Sequence, residues 1–579
     1  MVFYPSAWIP PLPAIPENVP VCEFLFDERY GRSAYSHSLD AYTCALTGRS
    51  ITASQQRDDV YNLARGLSSV TGWKVNSGSE YDKVAAIFAH NAVEVMTTSW
   101  AVHRLNGVSS PASAALSASE LRHQLQACRA TVLFTVMPLL PVALEAISGT
   151  KVSRDKVFLC ESPQDSRIPE GMRSVATLIK EGIKQPQLDS IRWKSGQGSR
   201  QCAYLCFSSG TSGSPKGVVI SHRNVIANII QIATYEKPSR DPLGPEFHDI
   251  ALGLLPQSHI YSLIVICHAS TYRGDQVIIL PKFSLPIYLQ TIQKYKIKTL
   301  YIVPPVIIAM LQSKPMLDGV DLSSVTSIYT GAAPLGRETA EKIAVQYPMW
   351  KIRQAYGLTE IATCASSTPP SDVWLGSAGC LLPGFEAKVI DINGNEITKH
   401  NTAGELFLKS PSVALGYLAN ESATRETFVE LPEGRFMRTG DEVEIRVSQQ
   451  GFEHIWVVDR IKELIKVKGH QVAPAELEAF LLTHPAVADA AVISIPDERA
   501  GELPKAFLVL SASWKAKKGD QSLKQDIVNY VAKEKSRHKW LDGGVEFIDV
   551  IPRSVAGKIL RRKLKDLDND ARKQIRGRM

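Results

Sequence analysis

One unit recurs along this chain and restricts its fold more than any other feature. It is an apolar, β-branched run, then a glycine-bearing turn, then an amphipathic helix. Residues 84–88 read as a strand, followed by a helix from about Ala92. Ser117-x-x-Glu120 is a capping box opening a helix over 121–128, and 131–135 read as the next strand. Ser221 is placed to cap a helix over 224–234. Residues 327–330 form a strand that stops at Gly331, and a helix follows over 337–347. Strands alternating with helices predict an α/β fold with parallel sheets covered by helices. Near residue 460 the rhythm changes. Short β segments at 405–409, 442–447 and 454–458 give way to a charged, hairpin-like stretch over 460–468. A helix over 475–484, a strand over 488–495 and a helix over 521–535 follow. The pattern predicts a large body over 1–459 and a small α+β body over 460–579.

A net charge of +7 invites a nucleic-acid reading. Its location argues against one. Residues 551–579 hold ten Lys/Arg against three acids, which accounts for the whole excess and leaves the rest balanced. No nucleic-acid partner is expected. The nine cysteines include no C-x-x-C pair, and Cys202 and Cys206 sit in an apolar run that reads as core strand. A reducing compartment fits, and a disulfide framework or zinc site does not. The proline-rich first twenty residues carry no basic residue and read as extended coil packed on a surface, not as a secretory signal. The most apolar stretches, such as 262–267, are too short to span a bilayer.

The strongest local signal is Ser208-Ser209-Gly210-Thr211-Ser212-Gly213-Ser214-Pro215-Lys216-Gly217, bracketed by apolar strands at 203–207 and 218–220. Small residues let backbone approach an anion, and successive N–H groups can cradle it. The hydroxyls add donors, and Lys216 adds positive charge. A Walker A loop is excluded, because Lys216 is followed by Gly217 and the loop runs into a strand instead of a helix. The loop predicts phosphate binding.

This loop resembles the signature of the adenylate-forming superfamily, which includes acyl-CoA ligases, luciferases and peptide-synthetase adenylation domains. Later segments match that superfamily's other motifs in order. Gln354-Ala355-Tyr356-Gly357-Leu358-Thr359-Glu360 resembles the second. Tyr356 offers a face for adenine, Thr359 a hydroxyl for the α-phosphate, and Glu360 a hard oxygen ligand for Mg²⁺. The resemblance adds Thr211 as a further metal ligand. Thr439-Gly440-Asp441 matches a motif whose carboxylate holds both ribose hydroxyls. Asp459-Arg460-Ile461-Lys462-Glu463 resembles the hinge motif, with Arg460 on the ribose and Lys462 as pivot. Ser554-Val555-Ala556-Gly557-Lys558 resembles the motif whose lysine is carried into the site on a mobile loop. The resemblance implies a large adenylation domain with a small barrel-like part, and a small mobile C-terminal domain.

Within the superfamily the chain looks most like 4-coumarate–CoA ligase and its relatives, including fungal acyl-CoA ligases of secondary metabolism. The stretches that carry this are 255–263, 303–305, 321–336 and 468–478. The likeness implies that His259 gates the acyl pocket, lined by Tyr261, Gly331, Ala332 and Ala355. It implies roles for Lys466 and Gln471 in the two half-reactions, and places coenzyme A along Lys468 and Gly469. Three departures put coumarate itself in doubt: Ala355 replaces a glycine, His470 replaces an aromatic, and 111–114 lacks the usual Asn-Pro. The implied chemistry is adenylation of a carboxylic acid by ATP with Mg²⁺, then acyl transfer to coenzyme A. The acid is open between aromatic, medium-chain and branched unsaturated classes, and a carrier-protein thiol or another acceptor is the alternative. Gly577-Arg578-Met579 loosely resembles a peroxisomal signal, so peroxisome or cytoplasm is expected.

Overall fold

The computed structural model describes residues 2–576, apart from 166, 209–214, 469 and 555–556. Two large sheets dominate. The first has eight strands in the order Gly416–Tyr417, Lys216–Ser221, Cys202–Ser208, Val108–Ala112, Val84–Phe88, Val132–Val136, Val157–Cys160 and Arg173–Ser174. The second has nine, and its central strands Gln276–Ile279, Ile250–Gly253, Thr299–Ile302, Ser327–Thr330 and Lys351–Leu358 all run parallel. Strands buried on both faces read as unbroken apolar runs, as Val84–Phe88 and Val132–Val136 do here.

Helix starts follow the capping signals. The Ser117 box opens Ala118–Ala127, and Ser221 forms a reciprocal box with Asn224 at the head of His222–Arg240. That second helix runs six residues past its expected end, through Pro238. The helix expected from about Ala92 begins at Val95. The apolar stretch after Ile260 is a fully buried π-helix, Tyr261–His268. Among the described residues no helix is long and apolar enough to cross a membrane. The proline-rich start is tied down where Phe3 bridges Ala387.

The barrel-like part is a five-stranded antiparallel sheet built on one long strand, Gly434–Val447. Bulges at Glu405/Phe407 and Glu442/Val443 bend it. This lets its second half pair with Glu453–Arg460 while its first half pairs with Phe428–Leu431. The expected charged hairpin over 460–468 is displaced. Residues 461–463 form a turn, and the hairpin lies further on, between Ile465–Val467 and His470–Val472. The alternation of Ile465, Val467 and Val472 inward with Lys466 and Gln471 outward sets that register. The hairpin joins Gly501–Leu510, Val487–Asp497 and Val545–Phe547 in a fourth sheet with its own apolar core, including Leu477, Leu481, Val492, Leu508 and Ile527.

Candidate active site

Open α/β sheets bind ligands beyond the carboxyl ends of their strands. Here the carboxyl ends of Thr299–Ile302, Ser327–Thr330 and Lys351–Leu358 deliver Val303, Gly331 and the 354–360 segment to one place. The eight-stranded sheet reaches the same place through Gly416–Tyr417, which pairs with Lys216–Ser221 and carries the Tyr417 hydroxyl to Glu360.

The glycine-rich loop enters on Ser208, paired with Lys216 across the two strands. Ser209, Gly210, Thr211, Ser212 and Gly213 lie outside the described residues. Lys216 Nζ lies 5.0 Å from the centre of the Tyr417 ring. The Tyr417 hydroxyl donates to Glu360 Oε1 at 2.9 Å, and Ala414 N donates to the Glu360 carbonyl at 2.8 Å. Tyr417 therefore joins Lys216 to Glu360, a link that the sequence reading missed.

Gln354 spends its side-chain oxygen on Leu335 N at 3.0 Å, which ties the 331–336 loop to the strand. Ala355, Tyr356 and Thr359 follow it half-buried. Between Tyr356 and Gly357 the register shifts. A Cβ on Gly357 would fall 1.5 Å from the Thr363 carbonyl oxygen, so no side chain fits there.

Tyr356 donates its hydroxyl to Asp441 Oδ2 at 2.6 Å, and Arg460 Nε stands 3.5 Å from Asp441 Oδ1. Asp441 and Arg460 face each other across the ladder of the long bent strand. Burial pushes the Asp441 carboxyl up, against the opposing pull of Arg460, the Tyr356 hydroxyl and Lys558. Its second oxygen and the arginine can receive vicinal hydroxyls.

Lys558 reaches this group from the C-terminal sheet. Its loop is stapled by Leu560 N donating to Pro552 O and Ser554 N to Lys558 O, both at 2.8 Å. Gly557, with φ +84°, rests on the large body: a Cβ there would come within 3.3 Å of Val303 Cγ2. Burial and then Arg460 lower the Lys558 ammonium to about 8, while Glu463 and Asp441 hold it up.

On the acyl side, Tyr261 N donates to His259 Nδ1 at 3.3 Å, and burial lowers this imidazole to about 4. His259 is therefore neutral near pH 7, with its proton on Nε2. Tyr261 anchors its hydroxyl on Tyr329 O at 2.7 Å. Its ring would meet a Cβ on Gly331 at 3.6 Å, and Ala355 O would meet that Cβ at 3.3 Å. Ala332, in the left-handed conformation at φ 65°, is exposed beside them.

Not every expected residue converges. Lys466 and Gln471 are direct partners across the hairpin, and both are exposed. Among the described residues, no hydrogen bond or ion pair joins their side chains or that of Lys468 to the residues above. Gly469 lies outside the described residues. Lys462 sits exposed in the turn that separates Arg460 from the hairpin.

Comparison with known proteins identifies the family. The AMP-binding enzyme model matches residues 32–418, and the AMP-binding enzyme C-terminal domain model matches residues 476–558. Acyl-CoA ligase AKT1 of Alternaria alternata is 39% identical over all of this chain and 99% of its own length. Acyl-CoA ligase easD of Emericella nidulans is 36% identical over 98% of this chain and all of its own. Among solved structures, an anthranilate CoA ligase in complex with anthranoyl-AMP superposes with a TM-score of 0.79. It is 23% identical and covers 96% of this chain and 98% of its own, a likeness of fold. With its fold, its two family matches and relatives aligned from end to end, the chain belongs to the AMP-binding enzyme family, alongside fungal acyl-CoA ligases.

Proposed function

We propose that this chain is an acyl-CoA ligase of secondary metabolism that adenylates a carboxylic acid with ATP and passes the acyl group to coenzyme A. The observation that supports it most is the cluster of Tyr356, Asp441 and Arg460 beside the strand ends that carry Glu360, with Lys558 Nζ 4.0 Å from Glu463 in the turn that follows Arg460.

In the first half-reaction a carboxylate oxygen attacks the α-phosphorus of ATP, and the bond to pyrophosphate breaks. Both reactants are anionic. Lys558, aimed at the place where they meet, lowers the barrier by fixed positive charge. Asp441 and Arg460 hold the ribose, and Tyr356 faces the base. Glu360 has one carboxylate oxygen engaged by Tyr417, and among the described residues no hydrogen bond is made by the other. Such a single carboxylate suits Mg²⁺, which takes one or two carboxylates together with substrate phosphates. Held by Glu360, with Thr211 as the second expected ligand, the ion would neutralise phosphate charge.

In the second half-reaction the coenzyme A sulfur attacks the acyl carbon, the mixed anhydride breaks, and AMP leaves. The exposed Lys466–Gln471 hairpin has no part in the arrangement described, so a turn of the small body about Lys462, with Arg460 left in its sheet, is required to bring it in. The neutral His259 and the Tyr261 and Tyr329 rings favour an aromatic or medium-chain acid. Of the two expected locations, peroxisome and cytoplasm, the tripeptide Gly577-Arg578-Met579, outside the described residues, supports the peroxisome. Removing those three residues from a fluorescent fusion should abolish punctate localisation, and unchanged puncta would exclude the assignment.

The deciding experiment is AMP release across a panel of carboxylic acids, with and without coenzyme A. AMP and a matching acyl-CoA only when the thiol is present establish the ligase. Acid-dependent pyrophosphate exchange that ignores coenzyme A would keep the adenylation and replace the acceptor.

A further inference from the structure

Lys558 sits on a loop, and a loop alone does not hold a cation to within an ångström. Three residues later, Arg561 makes the contacts that do. Its Nε donates to Glu463 Oε2 at 2.9 Å, and Nη1 donates to Glu478 Oε1 at 2.5 Å. Nη2 stands 3.3 Å from Glu478 Oε2. All three side chains are largely buried, at 12–15% exposure. Glu478 is itself fixed, because its Oε1 accepts Val492 N at 2.8 Å from the C-terminal sheet. Glu463 lies one residue beyond Lys462, and its backbone N donates to Arg460 O at 2.8 Å. One guanidinium thus fastens together the turn after the hinge, the helix Pro474–Leu481 and the root of the Lys558 loop.

We propose that Arg561 is a positioning residue for adenylation: it clamps the Lys558 loop to the hinge turn and keeps Glu463 from capturing Lys558. This rests on the adenylating role proposed above for Lys558. The geometry makes the second half of the claim specific. Glu463 Oε1 already stands 4.0 Å from Lys558 Nζ, while its other oxygen is engaged by Arg561. Without the guanidinium, Glu463 and Glu478 lose the charge between them. Glu463 is then free to close on Lys558, already 4.0 Å from its Oε1, and Lys558 turns away from the nucleotide. A lysine at 561 would keep the charge but lose the planar fork that reaches two carboxylates at once. The charged groups that face Lys558 are Arg460, Glu463, Asp441 and Arg561, so a change in the Glu463–Arg561 pair must register in its protonation.

The test measures both half-reactions of the full-length enzyme as a function of pH. Arg561→Gln should lower acid-dependent ATP–pyrophosphate exchange by about 100-fold, the scale of a small misplacement of a reacting group. It should also move the alkaline limb of that exchange upward, since Glu463 would now pair with Lys558. Thioester formation from chemically prepared acyl-adenylate should be spared. Adding Glu463→Gln to R561Q should return the alkaline limb towards wild type and recover part of the exchange. Arg561→Lys should fall between, and carries the same test alone if R561Q does not fold. Equal loss in both half-reactions, or an unmoved alkaline limb, would reduce Arg561 to scaffold and overturn the clamp. Wild-type enzyme without exchange on any acid would overturn the adenylation reading, and the clamp with it.

Discussion

Tyr417 donates its hydroxyl to Glu360 Oε1 at 2.9 Å while its ring lies 5.0 Å from Lys216 Nζ. One side chain therefore orients a carboxylate and carries a cation on the wall proposed to face the phosphates. Tyr417→Phe keeps the ring and removes the hydroxyl. A hydrogen bond to a charged group contributes about 1.5–3 kcal/mol. Adenylation should fall by roughly 10- to 100-fold, and the melting temperature by a few degrees at most, because the same bond also contributes to the fold. Pyrophosphate exchange and a melting curve on one sample check both.

In the proposed adenylation Lys558 acts as a cation, and burial lowers its ammonium to about 8. The kcat/KM for adenylation, which reports the free enzyme, should fall as pH rises through about 8. The same group has the opposite effect on stability. Between about 8 and the ordinary lysine range the unfolded chain binds more protons than the folded one. Stability from this group therefore rises with pH in that window. Lys558→Ala should lose the alkaline limb of exchange, and a variant that retains the limb would remove Lys558 from the role.

Gly557 is left-handed at φ +84°, and a Cβ added there would stand 3.3 Å from Val303 Cγ2. An alanine there costs roughly 1–2 kcal/mol in backbone strain and meets a neighbour as well. Gly557→Ala should reduce exchange by about tenfold or more. Thioester formation from preformed adenylate should not change, because that step does not need the loop docked on Val303.

Gly357 is a question of folding rather than chemistry. With the Thr363 oxygen 1.5 Å from an added Cβ, the two strands would have to separate. Gly357→Ala should cost about 3 kcal/mol or more and lower the melting temperature by several degrees. Full activity at wild-type stability would contradict the packing described.

Strings with local chemistry were legible in the sequence. The small-residue loop ending at Lys216 and the Tyr356–Glu360 run announced themselves by composition and spacing. Their meeting with Asp441, Arg460 and Lys558 was legible only through family resemblance. Tyr417 was missed because Gly-Tyr after an apolar stretch carries no local signal. Its role depends on a strand pairing two hundred residues long in sequence, Tyr417 with Val218. Arg561 was read as one charge in a basic tail, since nothing nearby in sequence names Glu463 or Glu478 as its partners. The charged stretch 460–468 looked like a hairpin by composition, but strand register follows the buried faces of Ile465, Val467 and Val472 instead. The π-helix Tyr261–His268 is apolar on every side, so no period could declare its pitch.

The rung formed by Asp441 and Arg460 closes before the turn at 461–463 begins. If the small body swings about Lys462, that rung stays behind, like a vice bolted to the bench while the arm moves. The ribose, held as proposed by that rung, is then gripped in both postures. A reactive anhydride is then never handed over through solvent between the two steps, and hydrolysis has no interval in which to intercept it.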